Sequence, residues 1–129
     1  MQLDFNSEKP IFLQIAEGIE DAILSGAFAE GEQIPSITEF SVTYTINPAT
    51  ALKGINLLVD QGILFKKRGI GMFVSENALD TLRAKRRQSF YDTYITGLVE
   101  EARRLALTKE DVEALIGQGF EERRSNHGN

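Results

Sequence analysis

Residues 35–50, PSITEFSVTYTINPAT, contain two helix starts in close succession. Ser36 stands three residues before Glu39, the spacing of a capping box, in which both side chains accept hydrogen bonds from free backbone amides at the start of a helix. Asn47 is followed by Pro48, and an N-cap residue followed by proline at the first helical position is a second start signal. Two helices separated by so short a connection predict a helix-turn-helix.

This pair of helices is preceded by another helix and followed by a hairpin. Apolar residues recur at helical spacing between Pro10, which can start a helix, and Gly26, which can end it. Residues 31–34 allow at most a brief strand. Residues 63–66 and 72–75 are β-prone and flank a basic, glycine-containing loop, which predicts a hairpin. The predicted fold class is therefore mainly α with a small β-wing, a winged helix-turn-helix domain.

The second helix of the motif has an apolar and a polar face and should end near Gly62. The apolar residues that repeat at helical spacing are Leu52, Ile55, Leu58 and Val59. The residues predicted to face outward are Ala49, Thr50, Lys53 and Asn56. Such a helix face can enter the major groove of DNA, and a basic hairpin tip can hold the adjacent backbone. The pattern favours DNA binding and leaves a winged-helix protein interaction module as the alternative.

After Glu76 the sequence changes to a long amphipathic helix, and Thr108 with Asp111 offers the start of a shorter final helix. We therefore predict a winged helix-turn-helix domain at residues 1–75 and a helical dimerisation tail at residues 76–129, with the last few residues disordered. An aromatic stripe at helical spacing favours a packed dimer seam over a small-molecule cavity. The predicted dimer-interface residues are Leu82, Phe90, Tyr94, Leu98, Leu105 and Leu115.

The composition excludes several classes of function. The chain has 129 residues and a net charge of −5, which by itself argues against a nucleic-acid partner. No cysteine is present and His127 is the single histidine, so we predict no catalytic residue, metal, cofactor or enzyme activity. No apolar segment is long enough to span a bilayer and the N-terminus has no signal-peptide pattern, so we expect a cytoplasmic protein without a membrane partner.

Six motifs together resemble a known family. In chain order they are PIFLQI at residues 10–15, ILSG at 23–26, PSITEF at 35–40, INPAT at 46–50, LLVDQGIL at 57–64 and RGIGMFV at 68–74. The segment from Pro10 to about Ser75 resembles the DNA-binding domain of the GntR family of bacterial transcription regulators. The short helical remainder resembles the YtrA-type subgroup, in which the tail mainly dimerises.

The resemblance implies a sequence-specific transcription regulator. It implies a homodimeric repressor that binds a near-palindromic, double-stranded DNA operator. Members of the YtrA-type subgroup often repress nearby operons, and these frequently encode membrane transporters. The resemblance leaves the existence of a small-molecule effector open. The positions that match DNA-contacting positions of the family are Ser36, Thr38, Asn47, Ala49, Thr50, Lys53, Lys67, Arg68, Gly69 and Gly71.

Two positions depart from the family pattern and lower the expected attraction to phosphate. Thr38 stands where an arginine that contacts DNA is usual, and Ile70 stands where the wing often has a lysine. Residues 1–75 also carry nine acidic and five basic side chains, although four of the five basic ones lie on the second helix or the hairpin. We expect low non-specific affinity and a shallow salt dependence, because few phosphates are neutralised.

A second basic cluster lies early in the tail. It consists of Arg83, Lys85, Arg86 and Arg87. The sequence leaves open whether these side chains contact DNA flanks, pair with acids of the partner subunit or cover a solvated helix face.

Overall fold

The computed structural model describes the backbone of residues 1–127 and the side chains of residues 1–122. The elements, in chain order, are α1 (Ile11–Ser25), α2 (Ile37–Tyr44), α3 (Pro48–Asp60), β1 (Leu64–Lys67), β2 (Gly71–Val74), α4 (Ala78–Phe90), a π-helical segment (Tyr91–Ile95), α5 (Thr96–Arg104) and α6 (Lys109–His127). They divide into a compact N-terminal unit, Met1–Arg86, and a C-terminal unit that begins at Arg87. The N-terminal unit has the predicted winged helix-turn-helix fold, mainly α with a small β-wing.

The core of the N-terminal unit lies between α1 and α3. The α1 residues Ile15, Ile19 and Ile23 are at most 1% exposed, as their spacing predicts. Gly54 of α3 lets the two helix backbones approach closely, because a Cβ at this position would stand 2.6 Å from the carbonyl oxygen of Phe12. The apolar pattern of the sequence does not reveal this glycine, since a contact with a backbone oxygen leaves no mark in hydrophobic spacing.

Both predicted helix starts of the helix-turn-helix are confirmed. The Ser36 hydroxyl accepts a hydrogen bond from the Glu39 amide at 3.1 Å, and the Glu39 carboxylate accepts one from the Ser36 amide at 3.1 Å. The Asn47 side chain accepts a hydrogen bond from the Ala49 amide at 2.8 Å and caps α3. The left-handed φ of 54° at Thr45 ends α2 and turns the chain toward the second cap.

The wing is an antiparallel hairpin of β1 and β2 in which Leu64 pairs with Val74 and Lys67 pairs with Gly71. Residues 31–34 add a short strand-like segment to β2. The Ile34 amide donates to the Met72 carbonyl at 3.0 Å, and the Val74 amide donates to the Glu32 carbonyl at 2.9 Å. The hairpin is thereby fixed to the segment that leads into α2.

The N-terminal unit extends beyond residue 75, where the change of composition placed its boundary. Ala78 and Leu82 of α4 are 0% exposed and belong to the core that contains the α1 isoleucines. The predicted boundary was therefore too early, because the first turns of α4 complete this core. Leu82 was predicted to lie at a dimer interface, but it is 0% exposed and belongs to the core of the N-terminal unit.

The C-terminal unit is less enclosed. The predicted long helix comprises α4, the π-helical segment and α5, and among residues 87–122 Ala102 is the one that is buried. The predicted start of α6 is confirmed, because Thr108 and Asp111 exchange side-chain to amide hydrogen bonds of 2.9 and 3.0 Å. This helix extends to His127 and so includes part of the tail predicted to be disordered. The last two residues of that tail lie outside the described residues.

Candidate nucleic-acid interface

The exposed face of α3 is formed by side chains three and four residues apart. Ala49, Lys53 and Asn56 are exposed, as predicted, whereas Thr50 is half-buried. Leu52 was expected on the apolar side, but it is 38% exposed and lies on the same face as Lys53. The reason is the phase of the helix, because the side of α3 that faces the core is formed by Ala51, Gly54, Ile55 and Leu58.

Lys53 is held at the edge of this face by an aromatic ring. Its Nζ lies 4.1 Å from the centroid of the Phe12 ring on α1. A cation over the face of a ring is attracted by the ring quadrupole, so the ammonium group is positioned before any ligand arrives. Phe12, Leu52, Lys53 and Asn56 line one shallow groove between α1 and α3.

The two predicted phosphate-facing residues at helix starts act as caps. Ser36 and Asn47 are exposed, and each side chain accepts a hydrogen bond from an amide of the helix it precedes. The remaining free amides of a helix N-terminus favour an anion such as phosphate. Thr38 is exposed in the first turn of α2 and contributes a hydroxyl but no charge.

On the wing, the predicted basic residues are accessible. Lys67 Nζ lies 4.4 Å from the ring centroid of Phe73 and 5.8 Å from that of Phe65, and these two rings stack at 5.7 Å. Arg68 is exposed, and Ile70 at the tip is 63% exposed. Lys66 of β1 is exposed as well, so the wing presents three cations and, at its tip, the aliphatic side chain of Ile70.

The two predicted wing glycines have left-handed backbones, with φ of 79° at Gly69 and 147° at Gly71. Gly71 also makes room for Gln33, since a Cβ there would stand 2.5 Å from Gln33 Nε2. That nitrogen donates to the Ile70 carbonyl at 3.1 Å and so braces the tip of the wing. Gln33 was not predicted as a site residue, because a contact between positions so distant in sequence has no local signal.

Two members of the second basic cluster pair with acids of the same chain. Glu20 of α1 is 3% exposed, and its carboxylate lies 2.5 Å from Lys85 Nζ and 3.1 Å from an Arg86 nitrogen. Arg86 also contacts the Asp21 carboxylate at 2.8 Å. Burial alone would lower the pKa of Arg86, but the hydrogen bonds and charges of Asp21 and Glu20 outweigh burial and raise it. These contacts fix the second half of α4 to α1.

The described residues contain no group of three or more histidine, cysteine or carboxylate side chains placed to hold a metal ion. None of the described helices combines the length and the apolar character that crossing a bilayer requires.

The candidate dimer residues of the C-terminal unit are exposed in the single chain. The exposed fractions are 53% for Phe90, 62% for Tyr94, 37% for Leu98, 62% for Leu105 and 54% for Leu115. The rings of Phe90 and Tyr94 stand 5.3 Å apart. Leu98, Leu105 and Leu115 line an open apolar groove of about 320 Å³ between α5 and α6.

The sequence pattern described as "Bacterial regulatory proteins, gntR family" matches residues 12–74. The uncharacterized HTH-type transcriptional regulator YhcF of Bacillus subtilis (strain 168) is 32% identical over 114 residues, which cover 87% of this chain and 91% of YhcF. The HTH-type transcriptional repressor YtrA of the same organism is 35% identical over 82 residues, 64% of this chain and 63% of YtrA. The structure of AraR(DBD) in complex with operator ORX1 matches with a TM-score of 0.54 and 28% identity, over 58% of this chain and 96% of AraR(DBD).

The fold and the exposed face of α3 define a DNA-binding transcription regulator of the winged helix-turn-helix class. The chain belongs to the GntR family of bacterial regulatory proteins and resembles its YtrA-type members.

Proposed function

We propose that this protein is a homodimeric transcription repressor that binds a near-palindromic DNA operator through α2, α3 and the wing. The observation that carries the proposal is the exposed face of α3, on which Ala49, Lys53 and Asn56 stand clear of a completed core. A helix of this kind fits the major groove, where such side chains reach base edges. The capped N-termini at Ser36 and Asn47 and the cations at Lys67 and Arg68 supply contacts to phosphate.

Dimerisation through the C-terminal unit would place two reading helices on one duplex. The exposed apolar side chains of α5 and α6 favour burial against a second copy, because contiguous exposed apolar surface marks an interaction site. A twofold axis relating two winged domains predicts half-sites separated by about one helical turn, roughly 10 base pairs, or a multiple of it.

The repressor assignment is supported by the name of the relative YtrA, a transcriptional repressor. The resemblance to YtrA-type members extends the proposal to an operon that encodes a membrane transporter. A cytoplasmic location, where such an operator would be found, is part of the same proposal.

An electrophoretic mobility shift on the DNA upstream of the protein's own gene tests this function. We expect a retarded band at nanomolar protein, with an affinity that decreases as salt increases. The slope of log affinity against log salt should be shallow, about 4 or less for the dimer, because each subunit offers few cations to phosphate. If no upstream fragment is bound at low salt, and selection from random duplexes enriches no sequence, the proposal is wrong.

Charge reversal separates the regulator from a winged-helix protein that only binds other proteins. Lys53→Glu combined with Arg68→Glu should abolish binding to the operator and leave the dimer intact, because both side chains are exposed and outside the core. Lys109→Glu is the matched control, since Lys109 is 82% exposed at the start of α6. The interaction-module alternative predicts that wild type and both variants behave alike toward DNA.

A further inference from the structure

Leu52 is an exposed aliphatic side chain on a helix face that is otherwise small or polar. It is 38% exposed, and its neighbours on this face are Ala49, Lys53 and Asn56. The core side of α3, which adjoins the Leu52 position, is formed by Ala51, Ile55 and Leu58, and each of these is 0% exposed. Leu52 therefore lies on the surface that α3 offers to its ligand.

The chemistry of the major groove limits what such a side chain can recognise. Each base pair presents hydrogen-bond donors and acceptors there, and the C5-methyl group of thymine is the apolar exception. Leucine neither donates nor accepts a hydrogen bond, so opposite a polar base edge it would remove water without replacing its hydrogen bonds. Opposite a thymine methyl group, both partners lose apolar surface to water, which is favourable.

The charges of the N-terminal unit make such a contact important. Residues 1–75 carry five basic against nine acidic side chains, and the exposed positions Thr38 and Ile70 are uncharged. Attraction to phosphate is correspondingly weak, and contacts to base edges must supply a larger share of the affinity. The ammonium of Lys53 is drawn toward the Phe12 ring on α1, at the flank of the groove that Leu52 also lines.

We propose that Leu52, together with the Ala49 methyl group, contacts the C5-methyl group of a thymine in each operator half-site and is a specificity-determining residue. This inference rests on the proposed function, because it requires α3 to enter the major groove. It assigns a reading role to a position that the pattern of the sequence assigned to the core.

Deoxyuridine isolates the thymine methyl group, because it differs from thymidine in that group alone. The operator is first selected from random duplexes with the full-length protein, and each thymine position is then replaced by deoxyuridine in both half-sites at once. At the contacted position we expect about 4-fold weaker binding for each methyl group lost, or about 15-fold for the symmetric pair. Fluorescence anisotropy at fixed salt gives the Kd of each duplex.

Leu52→Ala completes the test. The variant should bind the parent operator about 15-fold more weakly, and deoxyuridine at the contacted position should then change its Kd less than about 2-fold. Val42→Ala is the matched control, since Val42 is an aliphatic side chain on α2 that is 76% exposed. It should retain the full deoxyuridine effect. Circular dichroism melting should be unchanged in both variants, because neither side chain is in the core.

The outcomes distinguish this inference from the proposed function. A selected operator whose affinity is indifferent to deoxyuridine at every position, or a Leu52→Ala variant that keeps the full deoxyuridine effect, overturns the assignment of Leu52 and leaves the regulator intact. If the selection enriches no sequence, the proposed function is wrong and the role of Leu52 falls with it.

Discussion

The two units of the chain differ in how far they bury their apolar side chains. In the N-terminal unit, helices α1 and α3, the wing and the first turns of α4 enclose a core in which Ile15, Ile55 and Leu82 are 0% exposed. In the C-terminal unit, large apolar side chains such as Tyr94, Leu105 and Phe120 are more than 60% exposed. A segment with this much exposed apolar surface gains stability by associating. The contrast supports the proposal that the N-terminal unit folds alone and that the C-terminal unit associates with a second copy.

Removing the tail is the strongest test of this contrast and should have the largest effect. A chain that ends after Arg86 should remain folded but become monomeric. Its affinity for an operator with two half-sites should decrease about 100-fold or more, because binding of one N-terminal unit no longer raises the effective concentration of a second at the other half-site. Analytical ultracentrifugation measures the mass of the truncated protein in solution, and fluorescence anisotropy measures its affinity for the operator.

The comparison truncation ends after Ser75, before Ala78 and Leu82. It should be monomeric as well but less stable than the chain that ends after Arg86, because it lacks core side chains. A dimer of residues 1–86 in the centrifuge would show that the N-terminal unit carries an interface of its own.

Two leucines sharpen the contrast at the level of single residues. Leu82→Ala should reduce the free energy of unfolding by about 2–5 kcal/mol, because it leaves a cavity in a closed core. Leu98→Ala, at a site that is 37% exposed, should change the stability of the N-terminal unit little and raise the dimer dissociation constant instead. Urea denaturation measures the free energy of unfolding, and sedimentation equilibrium measures the dimer dissociation constant. Equal losses of unfolding free energy in the two variants would contradict the assignment of Leu82 to the core and Leu98 to an interface.

The buried carboxylate of Glu20 should have an intermediate effect. Glu20→Gln keeps the shape but removes the charge that Lys85 and Arg86 contact, and we expect a loss of about 1–2 kcal/mol, since both cations remain partly solvated. Glu17→Gln is the control, because Glu17 is 49% exposed in its pair with Lys9 and should cost less than about 0.5 kcal/mol. Thermal denaturation of the full chain ranks the two variants. The reverse order would disprove the stabilising role of the contacts that Glu20 makes with Lys85 and Arg86.

The smallest expected effect lies at the start of α6. Backbone and side-chain hydrogen bonds with Thr108 lower the pKa of the Asp111 carboxyl below its usual value. A carboxyl with a lowered pKa in the folded state stabilises the fold above its unfolded pKa, and the contribution is lost as the pH decreases through the folded value. In Thr108→Ala the pKa of Asp111 should move up toward its ordinary range, which an NMR titration of the carboxyl carbon detects. The backbone amide of residue 108 still donates to Asp111 in this variant, so an unchanged pKa would show that the Thr108 hydroxyl does not contribute to the lowered value.

Local signals explain why much of the fold could be predicted from the sequence. The capping box of Ser36 and Glu39 and the cap at Asn47 act within three residues, so their spacing in the chain is also their geometry in the structure. The antiparallel wing follows in the same way from two β-prone segments around Gly69. The matching family motifs are built from such short-range features.

Positions that depend on distant contacts were predicted poorly. Leu52 fits the apolar repeat as well as Ile55 does, and only the packing of α1 against α3 decides that Ile55 is buried and Leu52 exposed. Leu82 and Phe90 share one stripe in the sequence, yet Leu82 is buried in the core while Phe90 is 53% exposed. The ten predicted DNA-contacting positions remain predictions, because a contact with DNA involves a surface that the chain alone does not contain.

The sequence by itself determined where the helices begin, where the wing turns and which family the motifs resemble, because each of these features depends on residues that are close along the chain. Tertiary structure decided where the N-terminal unit ends, that Glu20 binds Lys85 and Arg86, and that Leu52 faces outward. Those outcomes depend on which helices meet and in what rotation. Periodicity gives the width of an apolar face, but only packing selects which of its edges the core covers.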